Sequence, residues 1–248
     1  MPPTDTDPVG RPALIELRQY TLRPGRREEL IELFDREFVE PQEEAGMSVL
    51  GQFRDLDDPD RFVWLRGFRN MAARHRALTA FYDGPVWAKH GPQANDTMID
   101  SDDVLLLRPL LDGSGFAFSP SERPQVGAPA PDRFVSATVW PFPPGRPDGV
   151  ALIRDGLLPV LHTTGPAPLA ALATETAHNT FSRLPVRTGE NVAAVFTSYP
   201  DESTYRQHLA DIQAHPLARD ELLPGIEREQ TAAPRILRLA PTGRSVLT

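Results

Sequence analysis

The feature that most constrains the fold is a pattern that occurs twice along the chain. Residues 61–109 read as a strand, a capped helix, an aromatic-rich loop and a second strand. Landmarks of this plan return in the second half at near-constant spacing. The tripeptide Pro-Gly-Arg occurs at residues 24–26 and again 120 positions later at 144–146, and Pro85 is matched by Pro216 at an offset of 131. Such repetition predicts two copies of one structural unit.

Each copy is predicted to be a β-α-β-β-α-β unit of the ferredoxin-like type. Strands are indicated by alternation of apolar and polar residues, and helices by apolar residues three and four apart. Asn70 and Asp201 precede the second helix of each copy, where a side-chain oxygen can accept from free backbone amides. The predicted strands cover residues 13–22, 47–53, 61–68, 104–110, 134–142, 169–178, 192–199 and 235–239.

The chain is therefore expected to be an α+β protein with two tandem domains. The predicted boundaries are 1–12 for a disordered tail, 13–111 for the N-terminal domain, 112–132 for a linker, 133–241 for a divergent C-terminal domain and 242–248 for a second tail. The linker is assigned from its Gly, Pro and Ser content. Phe116 and Phe118 inside it are expected to pack on one of the domains.

Two such units have a physical reason to pack together. Each would leave one face of its antiparallel sheet bare and partly apolar, so we expect the two sheets to close a barrel like that of the dimeric α/β-barrel proteins. We expect Ile15, Leu17, Val63 and Leu65 to lie under helices. The other strand face would then line the barrel interior, with Glu16, Arg18, Tyr20, Trp64, Arg66 and Phe68 from the first half, and Ser136, Thr138, Trp140, Thr174, Thr176 and His178 from the second.

Composition and missing motifs narrow the possible partners. A net charge of -8 gives no basic face for nucleic acid, and no apolar run approaches the roughly 18 residues of a membrane span. The chain has no cysteine, which excludes disulfides, thiol nucleophiles and cysteine-type metal sites. Phosphate-loop, dinucleotide, zinc-protease and hydrolase-elbow motifs are absent. We expect a cytoplasmic protein, without a signal peptide, whose partner is a small molecule and which needs no metal.

Four segments of the first half resemble the NIPSNAP family of the dimeric α-β barrel superfamily. They are RQYTLRPGR, FVWLRGF, RHRALTAFYDGPVW, and AND followed by VLLLRP. In the second half the layout is kept, but Ala218 stands in place of Trp87 and the motif at Asn95 is lost. The resemblance implies tandem ferredoxin-like units. It implies no single reaction, because the wider superfamily includes cofactor-independent monooxygenases, lactone isomerases, polyketide cyclases, heme-handling enzymes and simple ligand binders.

Glu16, Arg18 and Arg66 form the sharpest candidate site in the sequence. A carboxylate and two guanidiniums on neighbouring inward strands would be costly unless paired. They are either an ion-pair network that braces the barrel or a site in which arginine stabilises the developing charge of an enolate. In the second case His90, at the predicted barrel mouth, or Glu16 would move the proton.

The substrate-binding residues predicted around this group are Tyr20, Trp64, Phe68, Trp140 and His178, which would supply aromatic walls and polar contacts. The sequence favours a cofactor-independent isomerase, cyclase or monooxygenase that acts on a small aromatic or polyketide-like metabolite. The alternative is a non-catalytic scaffold or a protein that binds a small molecule or heme, with His90 and His178 as candidate heme ligands. A homodimer or higher homo-oligomer stays open.

Overall fold

Eight antiparallel strands close into one barrel. The structure is a computed structural model that describes residues 10–248, so most of the predicted N-terminal tail lies outside the described residues. Around the barrel the order is β1-β3-β2-β8-β5-β7-β6-β4, and the two halves join where β2 pairs with β8 and β4 with β6. The strands are β1 (Leu14–Leu22), β2 (Ser48–Asp55), β3 (Arg61–Phe68), β4 (Met98–Pro109), β5 (Phe134–Pro141), β6 (Ala170–Thr174), β7 (Val192–Tyr199) and β8 (Arg235–Pro241).

The helices cover the outside of the barrel. They are α1 (Arg27–Glu37), α2 (Val39–Glu44), α3 (Met71–Tyr82), α4 (Pro85–Thr97), α5 (Asp148–Ala151), α6 (Leu158–Thr164), α7 (Glu202–Ala214) and α8 (Leu223–Glu229). A π-helical segment, Leu152–Leu157, joins α5 to α6, and another, Ala218–Leu222, precedes α8. The predicted α+β class and the barrel of tandem ferredoxin-like units are confirmed.

Local sequence signals account for the main element boundaries. The Asn70 side chain accepts from the Ala73 amide at 2.9 Å, and Asp201 accepts from the Thr204 amide at 2.7 Å, so both predicted caps are confirmed. The predicted strand 169–178 is too long, because β6 ends at Thr174. There the Thr174 hydroxyl accepts a hydrogen bond from the Val192 amide, which replaces a backbone hydrogen bond between the strands. The predicted inward orientation of Thr176 and His178 is therefore wrong, and both are exposed after β6.

The barrel interior is apolar, which reverses the predicted orientation of the strands. Ile15, Leu17, Val63 and Leu65 pack there with apolar residues from β5 to β8. The set predicted to line the interior, Glu16, Arg18, Tyr20, Trp64, Arg66 and Phe68, instead lies beneath the helices of the first half. The physical reason is that both faces of these strands are buried, so alternation does not tell which face meets the partner half. The charged face packs against the helices, because helix side chains can form ion pairs with it there.

The segments outside the repeats are packed parts of the barrel. Phe116 and Phe118 of the predicted linker insert into the apolar interior, and the Phe116 ring meets Phe196 of β7 at 5.2 Å between centroids. Residues 242–248 are not a free tail, since Thr242, Ser245 and Leu247 are buried. The predicted domain boundaries stay predictions, since the strands of the two halves form one continuous sheet.

Candidate active site

The two halves place equivalent residues between the sheet and its helices. In the first half Glu16 of β1 pairs in register with Arg66 of β3. In the second half Ser136 of β5 pairs with Thr197 of β7. These pairs keep the sequence offsets of 120 and 131, so the positions correspond. We call these two regions the first and the second sheet–helix layer.

A buried ion network occupies the first sheet–helix layer. Glu16 is fully buried and accepts from Arg18 Nη1 at 2.7 Å, from Arg66 Nε at 2.8 Å and from Arg74 Nε at 2.6 Å. Burial alone would raise the pKa of Glu16, but the charges of Arg66, Arg18 and Arg74 together hold it well below its usual range. Arg74 lies on α3, so the network ties two strands to a helix.

Aromatic side chains fill most of the remaining space in the first layer. Trp64 packs against Phe34 of α1 with centroids 4.8 Å apart, and Tyr82 of α3 packs against Trp87 of α4 at 4.7 Å. The cavity left between them measures about 20 Å³. Ligand sites usually measure about 300–1,000 Å³, so a metabolite does not fit here without movement of the helices.

The predicted site residues do not all come together. Arg18, Arg66 and Glu16 form one network, and Tyr20, Trp64 and Phe68 lie around it. His90 lies on α4 with Nε2 3.4 Å from Glu37 Oε2, and His178 lies exposed in the segment after β6. Trp140 lines a cavity of the second half. The catalytic and binding roles assigned to these residues stay predictions.

The second sheet–helix layer holds an open cavity of about 310 Å³. Here the residues that correspond to Glu16, Arg18, Trp64 and Arg66 are the smaller Ser136, Thr138, Val195 and Thr197. The volume that charged and aromatic side chains fill in the first half is thereby left free. The cavity lies between strands β5, β7 and β8 and the helices α6 and α7. Its sheet wall is formed by Ser136, Thr138, Trp140, Val195, Thr197, Tyr199 and Ile236.

Tyr199 lines this cavity and forms a buried pair with His208, which does not line it. Tyr199 Oη lies 2.9 Å from His208 Nδ1, and His208 Nε2 lies 3.0 Å from Thr164 Oγ1. The Thr164 hydroxyl donates to the Val160 carbonyl at 2.9 Å, so it accepts from His208 Nε2–H. His208 Nδ1 is then the acceptor, and Tyr199 donates its proton to it. This chain fixes the tautomer that a base next to a phenol requires.

Burial sets the protonation states of this pair. It raises the pKa of Tyr199, an effect that the neighbouring Ser136 and Thr197 hydroxyls reduce, and it lowers the pKa of His208, against a smaller opposing effect of Asp211. At neutral pH both side chains are therefore uncharged. The phenol has a proton to give, and the imidazole has a free lone pair to receive it.

The lowered pKa of His208 predicts a pH-dependent stability. A histidine with a folded pKa below its unfolded value of about 6.5 contributes stability that is complete above that value and lost as the pH falls below it. We expect the difference in free energy of unfolding between the wild type and His208→Asn, measured in urea from pH 5 to pH 8, to grow as the pH rises. Asp35, whose pKa is raised to about 6 by burial, has the opposite dependence but is present in both proteins. Parallel curves would contradict the assignment.

The π-helical segments shape the helix side of the cavity. Leu157 from the first segment and Leu223, directly after the second, both line it. The segments approach closely, since a side chain at Gly156 would come within 2.4 Å of Leu222. Single π-helical turns occur frequently at functional sites, because the extra residue redirects side chains.

Sequence reasoning did not single out Tyr199 and His208. The available signal was a comparison of the two copies at constant offset: Tyr199 stands where the first half has Phe68, and His208 where it has Ala77. Polar groups thus replace apolar ones in a buried layer. Residues 10–248 contain no group of three or more His, Cys, Asp or Glu side chains placed to bind a metal ion.

One comparison finds a family match in the first half of the chain. The family model NIPSNAP matches residues 15–112. This part of the chain is similar to a NIPSNAP domain. Beyond this domain the match ends, which agrees with a second half that keeps the fold but changes the residues of its sheet–helix layer. No curated protein of similar sequence was found.

Solved structures of the same architecture match both halves of the chain. Two are each described as a "putative monooxygenase". The one from Lactobacillus acidophilus is 13% identical, with 95% of this chain and 98% of that chain covered and a TM-score of 0.54. The one from Fusobacterium nucleatum is 9% identical, with 94% of each chain covered and a TM-score of 0.57. An anthrone oxidase-like protein is 13% identical, with 92% and 91% covered and a TM-score of 0.57. At these identities the likeness shows the fold alone. Within residues 10–248, no helix has both the length and the hydropathy that crossing a bilayer requires.

Proposed function

We propose that the chain is a cofactor-independent enzyme that removes a proton from a small, largely apolar aromatic substrate bound in the second sheet–helix layer. The observation that carries the proposal is that Tyr199, at the wall of the 310 Å³ cavity, is hydrogen-bonded to the buried His208. A cavity of this size, mostly apolar and with a few convergent polar groups, is the usual form of a small-molecule site.

The pair supports a proton relay. Tyr199 Oη takes a proton from an acidic C–H or O–H group of the substrate, while its own proton passes to His208 Nδ1. The products of this step are an enolate or phenolate and an imidazolium, so charge balances. Hydroxyl groups of Ser136, Thr138 and Thr197 at the same wall are the candidate donors to the developing oxyanion. The predicted isomerase, cyclase and monooxygenase reactions can all begin from this anion.

Among these three reaction types, the names of the structural neighbours favour the monooxygenase reaction, which uses dioxygen. With anthrone as a probe, the reaction would join the deprotonated ring carbon to dioxygen. That carbon loses both hydrogens and keeps one oxygen atom as a carbonyl, and the second oxygen leaves as water. A three-ring ketone of this type is apolar and enolisable, as the cavity requires. The cytoplasmic location and any homo-oligomer stay predictions.

Filling the cavity tests where the probe binds. In Val195→Trp the second half receives the indole that the first half has at Trp64, and we expect anthrone binding, measured by titration of the purified protein, to fall at least tenfold. Tyr82→Phe, which changes the other layer, should bind anthrone as the wild type does. Binding that is absent in the wild type, or equal in Val195→Trp, would contradict the proposal. A non-catalytic binder would bind anthrone without exchanging its methylene protons.

A further inference from the structure

The small cavity of the first sheet–helix layer has an unusual wall. Its volume of about 20 Å³ is close to the space that one water molecule needs. Tyr20 of β1, Trp64 of β3 and Tyr82 of α3 line it, among aliphatic and aromatic side chains. Each of these three side chains carries one hydrogen-bond donor, a phenol O–H or the indole N–H. What the cavity can bind therefore depends on whether these donors already have acceptors in the protein.

All three donors lack an acceptor among residues 10–248. Arg18 Nε donates to Tyr20 Oη at 2.9 Å, and Arg66 Nη1 donates to Tyr82 Oη at 3.4 Å. A guanidinium has no lone pair to accept with, so neither phenol can return its own proton to its arginine. The described residues offer no other partner to either phenol, and Trp64 Nε1 is buried without any partner. A buried donor without an acceptor is costly, and this applies to Tyr20 and Trp64, which are buried, more than to Tyr82, which is partly exposed.

Gln42 is the remaining polar side chain of the wall. Its Oε1 accepts from Arg66 Nη1 at 3.2 Å, and its Nε2 donates to the Phe38 carbonyl at 3.1 Å. A water molecule in the cavity could give its own protons to the lone pairs that remain on the phenol oxygens and on Gln42 Oε1, whereas an anion needs donors only. The hydrogen-bond inventory therefore admits both occupants, and charge decides between them.

Charge favours the anion. Arg18, Arg66 and Arg74 are buried around Glu16, which is their only carboxylate partner within residues 10–248. The network thus has a formal charge of +2, and buried charge is stable only when it is compensated. Arg18 and Arg66, which hold the two phenols, also lie over the Trp64 ring, with guanidinium carbons 5.6 and 5.1 Å from its centroid. The cavity is consequently next to the uncompensated charge.

We propose that this cavity binds a monatomic anion such as chloride, held by Tyr20, Trp64 and Tyr82 and attracted by the arginine network. The site is separate from the cavity of the second half and does not depend on the proposed enzymatic function. The anion would balance the charge of the arginine network in the first half of the chain.

Thermal unfolding tests the proposal through ion specificity. At equal ionic strength, sodium chloride or bromide is expected to raise Tm by roughly 3 °C over sodium gluconate when the halide is present at about ten times its dissociation constant. Gluconate is too large for the cavity. Tyr82→Phe removes one donor and keeps the ring, and Trp64→Phe removes another donor with a smaller ring in its place, so both should lose most of the difference. Tyr199→Phe, in the other layer, should keep it. Equal Tm values in halide and gluconate would overturn the proposal.

Crystals grown or soaked in sodium bromide give a second readout. We expect an anomalous bromine peak within hydrogen-bonding distance of Trp64 Nε1 and Tyr20 Oη. Bromine peaks confined to the protein surface, or water in the cavity, would reject the site even if halides raise Tm.

Discussion

Glu16→Gln is expected to destabilise the protein by about 3–5 kcal/mol, which is a large part of the 5–15 kcal/mol that holds a domain folded. The substitution keeps the shape of the side chain but removes the carboxylate that, in the described part of the chain, alone pairs with three buried guanidiniums. Its amide group would also direct N–H donors at the donors of arginine. Urea unfolding followed by tryptophan fluorescence measures the change.

Two further variants separate charge from shape. Glu29→Gln breaks an exposed ion pair with Arg26 and should leave the unfolding midpoint unchanged, because exposed pairs are screened by water. Arg74→Met removes one of the excess positive charges and leaves Glu16 with two partners. It should therefore destabilise less than Glu16→Gln. If Glu16→Gln behaved like Glu29→Gln, the carboxylate would not be the centre of the network.

The repeated layout could be predicted because each copy carries its own local signals. Asn70 and Asp201 cap helices by their side-chain oxygens, and the Pro-Gly turns at residues 24–25 and 144–145 place glycines at positive φ, 75° in both cases. These effects act within a few residues, so they can be recognised without the fold. Strand β3 was predicted with the bounds that it has in the structure, Arg61–Phe68.

The orientation of the strands could not be predicted from the same pattern. Glu16, Arg18 and Arg66 alternate with Ile15, Leu17 and Leu65, and all six residues are buried. Alternation therefore marks two buried faces and not one buried and one wet face. Which face meets the helices is decided by partners far away in sequence: Arg74 pairs with Glu16 across 58 residues.

The cavity could not be predicted, because small residues in a sequence do not by themselves indicate an unfilled volume in the fold. Ser136, Val195 and Thr197 become informative only when they are placed against Glu16, Trp64 and Arg66 of the first copy. The Tyr199–His208 contact also needs the fold, since Tyr199 is on a strand and His208 on the following helix, with the phenol proton directed by Thr164 through the imidazole.

Tyr199→Phe tests the proposed enzymatic function, because it removes one oxygen atom from the cavity wall. It also gives the second half the residue type that the first half has at the equivalent position, Phe68. General acid–base groups typically contribute factors of about 10²–10⁴, so we expect proton removal from a bound substrate to slow at least 100-fold. The lost hydrogen bond leaves His208 Nδ1 without its donor, which should lower stability by about 1–3 kcal/mol. The effect on rate should therefore exceed any effect on the folded fraction. Tyr82→Phe, in the opposite layer, is the matched control.

The most direct measurement is the rate at which the methylene protons of anthrone exchange with deuterium from solvent, followed by NMR with wild type, Tyr199→Phe and Tyr82→Phe. We expect wild type and Tyr82→Phe to accelerate the exchange equally, and Tyr199→Phe to lose at least 99% of that acceleration while still binding anthrone. Equal acceleration by Tyr199→Phe, or none by the wild type with anthrone bound, would contradict a catalytic site in the second half.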